Sequence, residues 1–360
     1  MDFIEVFEIT PDLNSNDSVM VLDSWQSLRV RRNFTKPNEF TLVVESSESN
    51  LKYLRARNHI RIGTVLYDIE TIQASDESLE VIGRSMSHAL NRDFMHVTYS
   101  KNAIEPEMAV RVLLWGLAPQ YFMYVDKLEP FSNFKIRYQA TYKSYLDLLI
   151  EFCETYDFGY VETYHAKGEK LPVAQYKHMN MLSIVQGEDL SDKVVFSAEN
   201  ENLLSENLEV SYKDYKDYAH VFGEGEGIGR KVVTVDLGNP VELHRSRLYV
   251  DARDLQSEVE DGVFLSDAEY EAILYERGVQ KLAEHAPIFS LSGTIDAKSK
   301  LFKLGVDYDV GDIVTIESEK FNIKTNLQIT AIEETWDANG YHIDPIFGKE
   351  SPTIFEKLRR

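Results

Sequence analysis

Residues 223–229 read Gly-Glu-Gly-Glu-Gly-Ile-Gly, with a glycine at every second position. A glycine run can let backbone N–H groups cradle a phosphate. The dinucleotide version needs G-x-G-x-x-G between a strand and a helix, so that the pyrophosphate meets the helix N-terminus. Here residues 231–237 continue as a strand, and Glu224 and Glu226 would repel a phosphate. No Gly-Lys-Ser/Thr closes a P-loop. The run therefore predicts architecture, a hairpin or bulge where side chains would clash, and no cofactor.

Other chemistry-bearing residues are scattered. Histidines stand at positions 59, 88, 96, 165, 178, 220, 244, 285 and 342, without H-E-x-x-H or another close pair, so no metal site is expected. Ser132 and Lys135 fit S-x-x-K by letters, but the companion motifs of serine acyltransferases are absent. Cys153 lies on the apolar face of an expected helix and reads as a small core residue, not a nucleophile. Carboxylates are many, and nothing singles out a glycosidase pair. No catalytic residue is assigned. Tyr212, Tyr215 and Tyr218, interleaved with Lys213, Asp214, Lys216 and Asp217, read either as a partner surface with a polar rim or as the outer cover of a β unit. With Gly223, Gly225 and Gly227 they are the expected interface residues.

The elements that would carry these residues are mostly strands. Residues 1–98 read as a β-barrel domain. Ile4, Val6 and Ile9 open it. Phe40, Leu42 and Val44 alternate after a Pro37-Asn38 turn, Ile60 and Ile62 alternate, and residues 65–72 and 79–82 follow as short strands. Residues 99–190 read as an inserted α+β domain. Pro106 starts one helix, which Pro119 ends. A second runs over 141–156, with Tyr142, Tyr145, Leu146, Leu149, Phe152, Cys153 and Tyr156 on one face and Gly159 as its stop. The β pattern then returns over 191–255 and 290–348 as a second barrel. A helical insertion over 256–289 interrupts it, capped by Ser266 and Glu269 and lined by Ala272, Tyr275, Val279 and Leu282. Residues 349–360 form a tail, read as a disordered end or a docking segment. One internal echo stands out: Ile60-Arg61-Ile62 and Ile69-Glu70-Thr71-Ile72 resemble Val314-Thr315-Ile316 and Ile329-Thr330-Ala331-Ile332. It predicts two copies of one barrel.

Length and composition set the bounds. The 360 residues suit two to four domains. No window approaches a membrane span, and the acidic N-terminus does not read as a signal peptide. A single cysteine excludes an intrachain disulfide, which fits a cytoplasmic site of synthesis. The net charge of −22 argues against gripping nucleic acid through its phosphates. It suits either an acidic, soluble surface or a wall past which DNA slides.

The chain resembles siphophage and prophage tail-associated proteins of the baseplate-hub type. The residues that carry the likeness are Ser24-Trp25 with 39–44 (EFTLVV), Ile82-Gly83-Arg84 with Leu90-Asn91-Arg92, Gly187 to Ser191 (GEDLS), 195–200 (VFSAEN), 223–227, 249–255 (YVDARDL), the helix 266–285 and 308–314 (YDVGDIV). It spans residues 4–348, departs from the pattern at 85–89 and does not align with it around Met179 to Leu182. The resemblance implies a mainly β fold with α+β insertions and two tail-tube-like barrels in one chain. It implies a non-enzymatic homotrimeric hub in the virion tail tip that joins a distal tail protein hexamer ring and gates the channel for DNA release. Receptor-binding and tape measure proteins would be further partners, and DNA would pass without specific binding. Some relatives carry C-terminal lysin or receptor-binding domains, for which little room is expected after residue 348. The alternatives are a tail-associated peptidoglycan hydrolase (endopeptidase) and a host-surface carbohydrate-binding tail protein.

Overall fold

The computed structural model describes residues 4–8, 18–96, 98–115, 123–165, 179–238, 241–260, 263–295 and 301–349. Ile9, Pro119, Pro240 and residues 350–360 of the tail lie outside them.

The first β unit comprises β1 (Ile4–Phe7), β2 (Ser18–Leu22), β3 (Ser27–Asn33), β4 (Glu39–Glu45), α1 (Glu48–Tyr53), β5 (His59–Ile62), β6 (Val65–Ala74) and β7 (Ser78–Ser85). The expected alternation holds in β4, where Phe40, Leu42 and Val44 are buried and Glu39 and Glu45 are exposed. These side chains meet Leu28, Val30, Ile60, Ile62, Leu79 and Val81 in one core. Asn38 makes the turn before β4, its side chain accepting from the Asn33 N–H at 2.8 Å.

The α+β segment follows with β8 (Tyr99–Ile104), α2 (Pro106–Trp115), β9 (Met123–Val125), β10 (Ile136–Ala140), α3 (Tyr145–Tyr156), β11 (Gly159–His165) and β12 (Met179–Val185). Helix α3 begins four residues later than its apolar spacing predicts. Ser144 caps it, accepting from the Asp147 N–H, and Tyr142 just before takes a left-handed φ of 55°. The helix ends on left-handed Asp157 and not on Gly159. Gly159 is needed for another reason: a Cβ there would lie 2.4 Å from the Phe34 carbonyl oxygen. Cys153 is buried in α3 as expected, and burial pushes its thiol pKa well up.

The remaining elements are β13 (Val195–Ser197), β14 (Asn207–Ser211), β15 (Tyr218–Phe222), β16 (Val232–Asp236), β17 (Arg247–Asp251), β18 (Glu258–Glu260), β19 (Val263–Phe264), α4 (Asp267–Glu284), β20 (Ile288–Ser292), β21 (Ile313–Ser318), β22 (Ile323–Asp337) and β23 (Gly340–Lys349). Thirteen strands form one sheet, ordered β14-β20-β23-β22-β3-β4-β7-β6-β5-β1-β2, with β21 also on β22 and β13 on β21. Among the described residues this order runs between two edges, and strand pairing closes neither half into a barrel.

The sheet is a duplication. In the first half β3-β4-β7-β6-β5-β1 are neighbours in that order; in the second β14-β20-β23-β22-β21-β13 are. Both series use their strands in the same chain order. The echo seen in the sequence falls on matching places. Ile60 lies opposite Tyr67, and Val314 opposite Leu327. Two residues on, each long strand bulges, with the register shifting between Ile69 and Thr71 in β6 and between Ile329 and Ala331 in β22. The halves differ at one end, where β1 joins β5 antiparallel and β13 joins β21 parallel. They meet where β3 adds to β22.

Residues 218–251 depart from expectation. Read as the first half of the second β unit, they form a separate three-stranded sheet, β16-β15-β17. Ala219 and Val221 alternate inward onto α4, so this stretch buries its apolar face locally. The inner line of α4 is Tyr270, Ile273, Leu274, Gly278 and Leu282. Tyr275 points out, 46% exposed, and Ala272 and Val279 are only partly buried. Gly278 displaces the expected line because the sheet sits directly over it: a Cβ there would be 2.5 Å from Val235 Cγ2 and 2.8 Å from Val221 Cγ2. The expected capping box is present, Ser266 accepting from the Glu269 N–H and Glu269 accepting from the Ser266 N–H at 2.9 Å.

Candidate assembly surface

Strand β15 is central in its small sheet, antiparallel to β16 and parallel to β17. With Ala219 and Val221 turned onto α4, period-two alternation sends Tyr218, His220 and Phe222 to the opposite face. Cross-strand neighbours complete that face: Asp236 and Arg247 beside Tyr218, Thr234 and Tyr249 beside His220, Val232 and Asp251 beside Phe222. The rings of Tyr218 and His220 meet at a tilt with centroids 4.9 Å apart, and those of Phe222 and Tyr249 at 5.0 Å. Arg245 lies over the Tyr218 ring at 5.1 Å and Arg230 over Phe222 at 5.4 Å. Tyr249 remains 61% exposed. Aromatic rings together with arginines are the composition of binding hot spots.

The glycine loop frames one end of this face. Gly223 is a packing glycine: a Cβ would meet the Tyr270 hydroxyl at 2.5 Å and Leu274 Cδ1 at 2.9 Å. Tyr270 Oη accepts from the Glu224 N–H at 2.7 Å and donates to the Leu255 carbonyl at 2.9 Å. Gly225 and Gly227 take φ of +98° and +56°, which bends the loop outward and leaves Ile228 fully exposed at its tip. Arg230 holds the base. It donates through Nε to the Gly223 carbonyl at 2.9 Å and through Nη2 to the Phe222 carbonyl and to Asp251 at 2.8 Å. Hydrogen bonds from Arg253 and Arg230 hold the Asp251 carboxyl well below the usual range. The guanidinium is thus engaged within the loop, and Glu224 and Glu226 keep it acidic.

The three tyrosines do not form one cluster. Tyr212 and Tyr215, just after β14, make an edge-on pair at 5.5 Å, with Tyr212 65% exposed. Tyr218 belongs to the β15 face, with His220 and Arg245 as ring neighbours. The sequence reading missed His220, Phe222, Tyr249, Arg230 and Arg245. The alternation from 218 to 222 was the available signal for the first two. The arginines are brought in by tertiary structure.

Residues with catalytic potential are engaged structurally. Glu162 is buried and accepts from Ser85 Oγ at 2.5 Å, the Ser87 N–H at 2.8 Å and Asn180 Nδ2 at 3.2 Å. Burial nevertheless raises its pKa. Glu107 accepts from the Phe131 and Ser132 amides, both at 2.9 Å. Lys135, the lysine of S-x-x-K, pairs with Glu105 at 3.3 Å. Among the described residues no three His, Cys, Asp or Glu side chains are grouped to hold a metal ion, and no helix is long and apolar enough to cross a membrane.

The model of the Siphovirus ReqiPepy6 Gp37-like protein family matches residues 86–349. The fold is similar to the tail protein from Neisseria meningitidis MC58, at TM-score 0.57 and 10% identity, covering 97% of each chain. It is similar to the prophage MuSo2 43 kDa tail protein from Shewanella oneidensis, at TM-score 0.56 and 11% identity, covering 96% of this chain and 98% of that one. Prophage tail protein gp18 from Listeria monocytogenes EGD-e follows at TM-score 0.53 and 11% identity, covering 100% and 98%. No curated protein matches the chain.

Proposed function

Because this chain belongs to the family of Siphovirus ReqiPepy6 Gp37-like proteins, we propose that it is a structural protein of the phage tail tip. In this reading it is a hub: a homotrimer that joins the distal tail protein ring and closes or opens the channel through which DNA leaves. The observation that carries the reading is the duplicated β unit. One chain holds two versions of one strand arrangement, so three chains present six. That count lets a threefold hub meet a sixfold tube with equivalent contacts.

The division of the chain in this reading is drawn along the sheets. Residues 1–98 form the first tube-type unit, and 99–190 the α+β insertion packed on it. Residues 191–211 and 288–349 form the second unit, and 212–287 a second insertion, which carries the aromatic face. Both units close into tube-type barrels in the assembled hub. The face of Tyr218, His220, Phe222 and Tyr249 is the docking surface for a neighbouring tail component, and receptor-binding or tape measure proteins are candidates. The charge of −22 suits a channel past which DNA slides without being held. No catalytic role is assigned.

Mixing the purified chain with its distal tail protein tests the reading. Co-sedimentation as one ring-shaped particle in negative-stain images is expected. Failure of the two to associate at micromolar concentration overturns the proposed partner.

A further inference from the structure

The duplication leaves two strand edges unmatched. Inside the chain, β3 adds antiparallel to the outer edge of β22, in the stretch just beyond its bulge, with Asn33 opposite Ala331, Arg32 opposite Ile332, Arg31 opposite Glu333 and Val30 opposite Glu334. By the strand correspondence, β14 is the second-half version of β3, and β6 is the first-half version of β22. Yet β14 ends the sheet, and among the described strands it pairs with β20 alone. The stretch of β6 beyond its bulge pairs with β7 on one side, while β5 covers only 65–68 on the other.

We infer that these two edges join between neighbouring copies: β14 of one subunit adds antiparallel to β6 of the next. The inference rests on the trimer reading and gives it a residue-level contact. The register follows from the ladders. Val30 faces Phe40 in β3–β4, and Leu208 faces Leu291 in β14–β20. Phe40 and Leu291 in turn face Gly83 and Phe347, which lie opposite Ile69 and Ile329 just before the two bulges. Leu208 therefore takes the place of Val30, and Ala74 that of Glu334. The intersubunit pairs are then Ser211 with Thr71, Val210 with Ile72, Glu209 with Gln73, Leu208 with Ala74 and Asn207 with Ser75. None of these pairs opposes like charges.

Exposure agrees with the assignment. Val30 is 4% exposed at the internal junction, whereas Leu208, which takes its place on β14, is only partly buried, Val210 two residues on is 51% exposed, and Thr71, Gln73 and Ala74 are exposed along β6. An open strand edge carrying apolar side chains is a template for another strand. A head-to-tail contact of this kind uses different edges on the two partners, so it builds a ring when the rotation closes.

Cysteine pairing tests this in the full chain. In I72C/V210C the new residues lie directly opposite across the interface, within the Cα spacing a disulfide accepts. In A74C/V210C they are diagonal, at roughly 7–8 Å, beyond easy bridging. Buried Cys153 stays in both, and each single-cysteine variant controls for it. Covalent trimers under mild oxidation from I72C/V210C and none from A74C/V210C are expected. A trimer by native mass whose I72C/V210C form fails to cross-link, or cross-links no better than the diagonal pair, overturns the edge pairing and leaves the trimer standing. A protein that stays monomeric both alone and with the distal tail protein overturns both. Val210→Lys, which loads the β14 edge without touching a core, is expected to abolish trimer while leaving the circular dichroism spectrum unchanged. A trimer that survives this substitution counts against the pairing.

Discussion

Replacing Phe34 by alanine should be among the costliest single changes in this chain. The ring is 1% exposed and sits where three parts of the molecule meet. Its backbone N–H donates to the Thr330 carbonyl of the second β unit at 3.1 Å, and its carbonyl accepts from the Tyr160 N–H of the α+β segment at 3.0 Å. The walls around the ring are glycines. A Cβ on Gly311 would stand 2.2 Å from the ring and one on Gly159 2.5 Å, so main chain presses on both sides. Phe→Ala removes the transfer energy of the ring and leaves a cavity, together about 3–5 kcal/mol. Main chain cannot swing into a void as a flexible side chain can, which favours the upper half of that range. The two backbone hydrogen bonds survive the substitution, so the loss measures the ring. Urea denaturation followed by circular dichroism and tryptophan fluorescence provides the assay. A loss under about 1 kcal/mol, comparable with an ordinary surface change, would refute the idea that Phe34 locks the three parts together.

Other outcomes follow from the same geometry. Gly278→Ala should destabilise by about 1–3 kcal/mol through overpacking on Val221 and Val235, although alanine in a helix ordinarily gains about 1 kcal/mol over glycine; a raised Tm would refute that packing. Burial alone would raise the Glu70 pKa, but hydrogen bonds from His88 and Arg84 outweigh it and hold it at about 2, against an ordinary 4.5. A depressed carboxylate contributes stability above its unfolded pKa and loses it as pH falls through the folded one, here between about pH 4.5 and 2. With its side chain 28% exposed, Glu70→Gln should cost roughly 1 kcal/mol at pH 7 and nothing near pH 2, read from denaturation midpoints at both pH values. Tyr249→Ala should weaken binding of a tail component to the aromatic face by about tenfold or more at unchanged Tm, measured by calorimetry. Zymography on peptidoglycan should show no clearing, and clearing by the purified chain would revive the hydrolase alternative.

Much of the fold was legible because it is written in alternation and caps. Phe40, Leu42 and Val44 announce a strand with one buried face, and Ser266 with Glu269 announces a helix start. Both signals are local, so tertiary packing need not be known. The lining of α4 was not legible. Its inner line is set by the close approach of Val221 and Val235 to Gly278, a contact between residues far apart in sequence. For the same reason the strands of 218–251 were credited to the large sheet: alternation says that a strand has a buried face and not what covers it. The short echo around Ile69 and Ile329 carried more than its length suggests, because a bulge constrains the residues around it wherever the unit is repeated. Of the candidate surface, Tyr218 was found by type and spacing. Arg230 was missed because nothing near it in sequence shows that Gly223, Phe222 and Asp251 converge on its guanidinium.

The native mass of the full chain, measured across micromolar concentrations with and without the distal tail protein, tests the central claim most directly. The account predicts a particle of three chains of 41.5 kDa, formed alone or on adding that partner. A strict monomer under both conditions would contradict it.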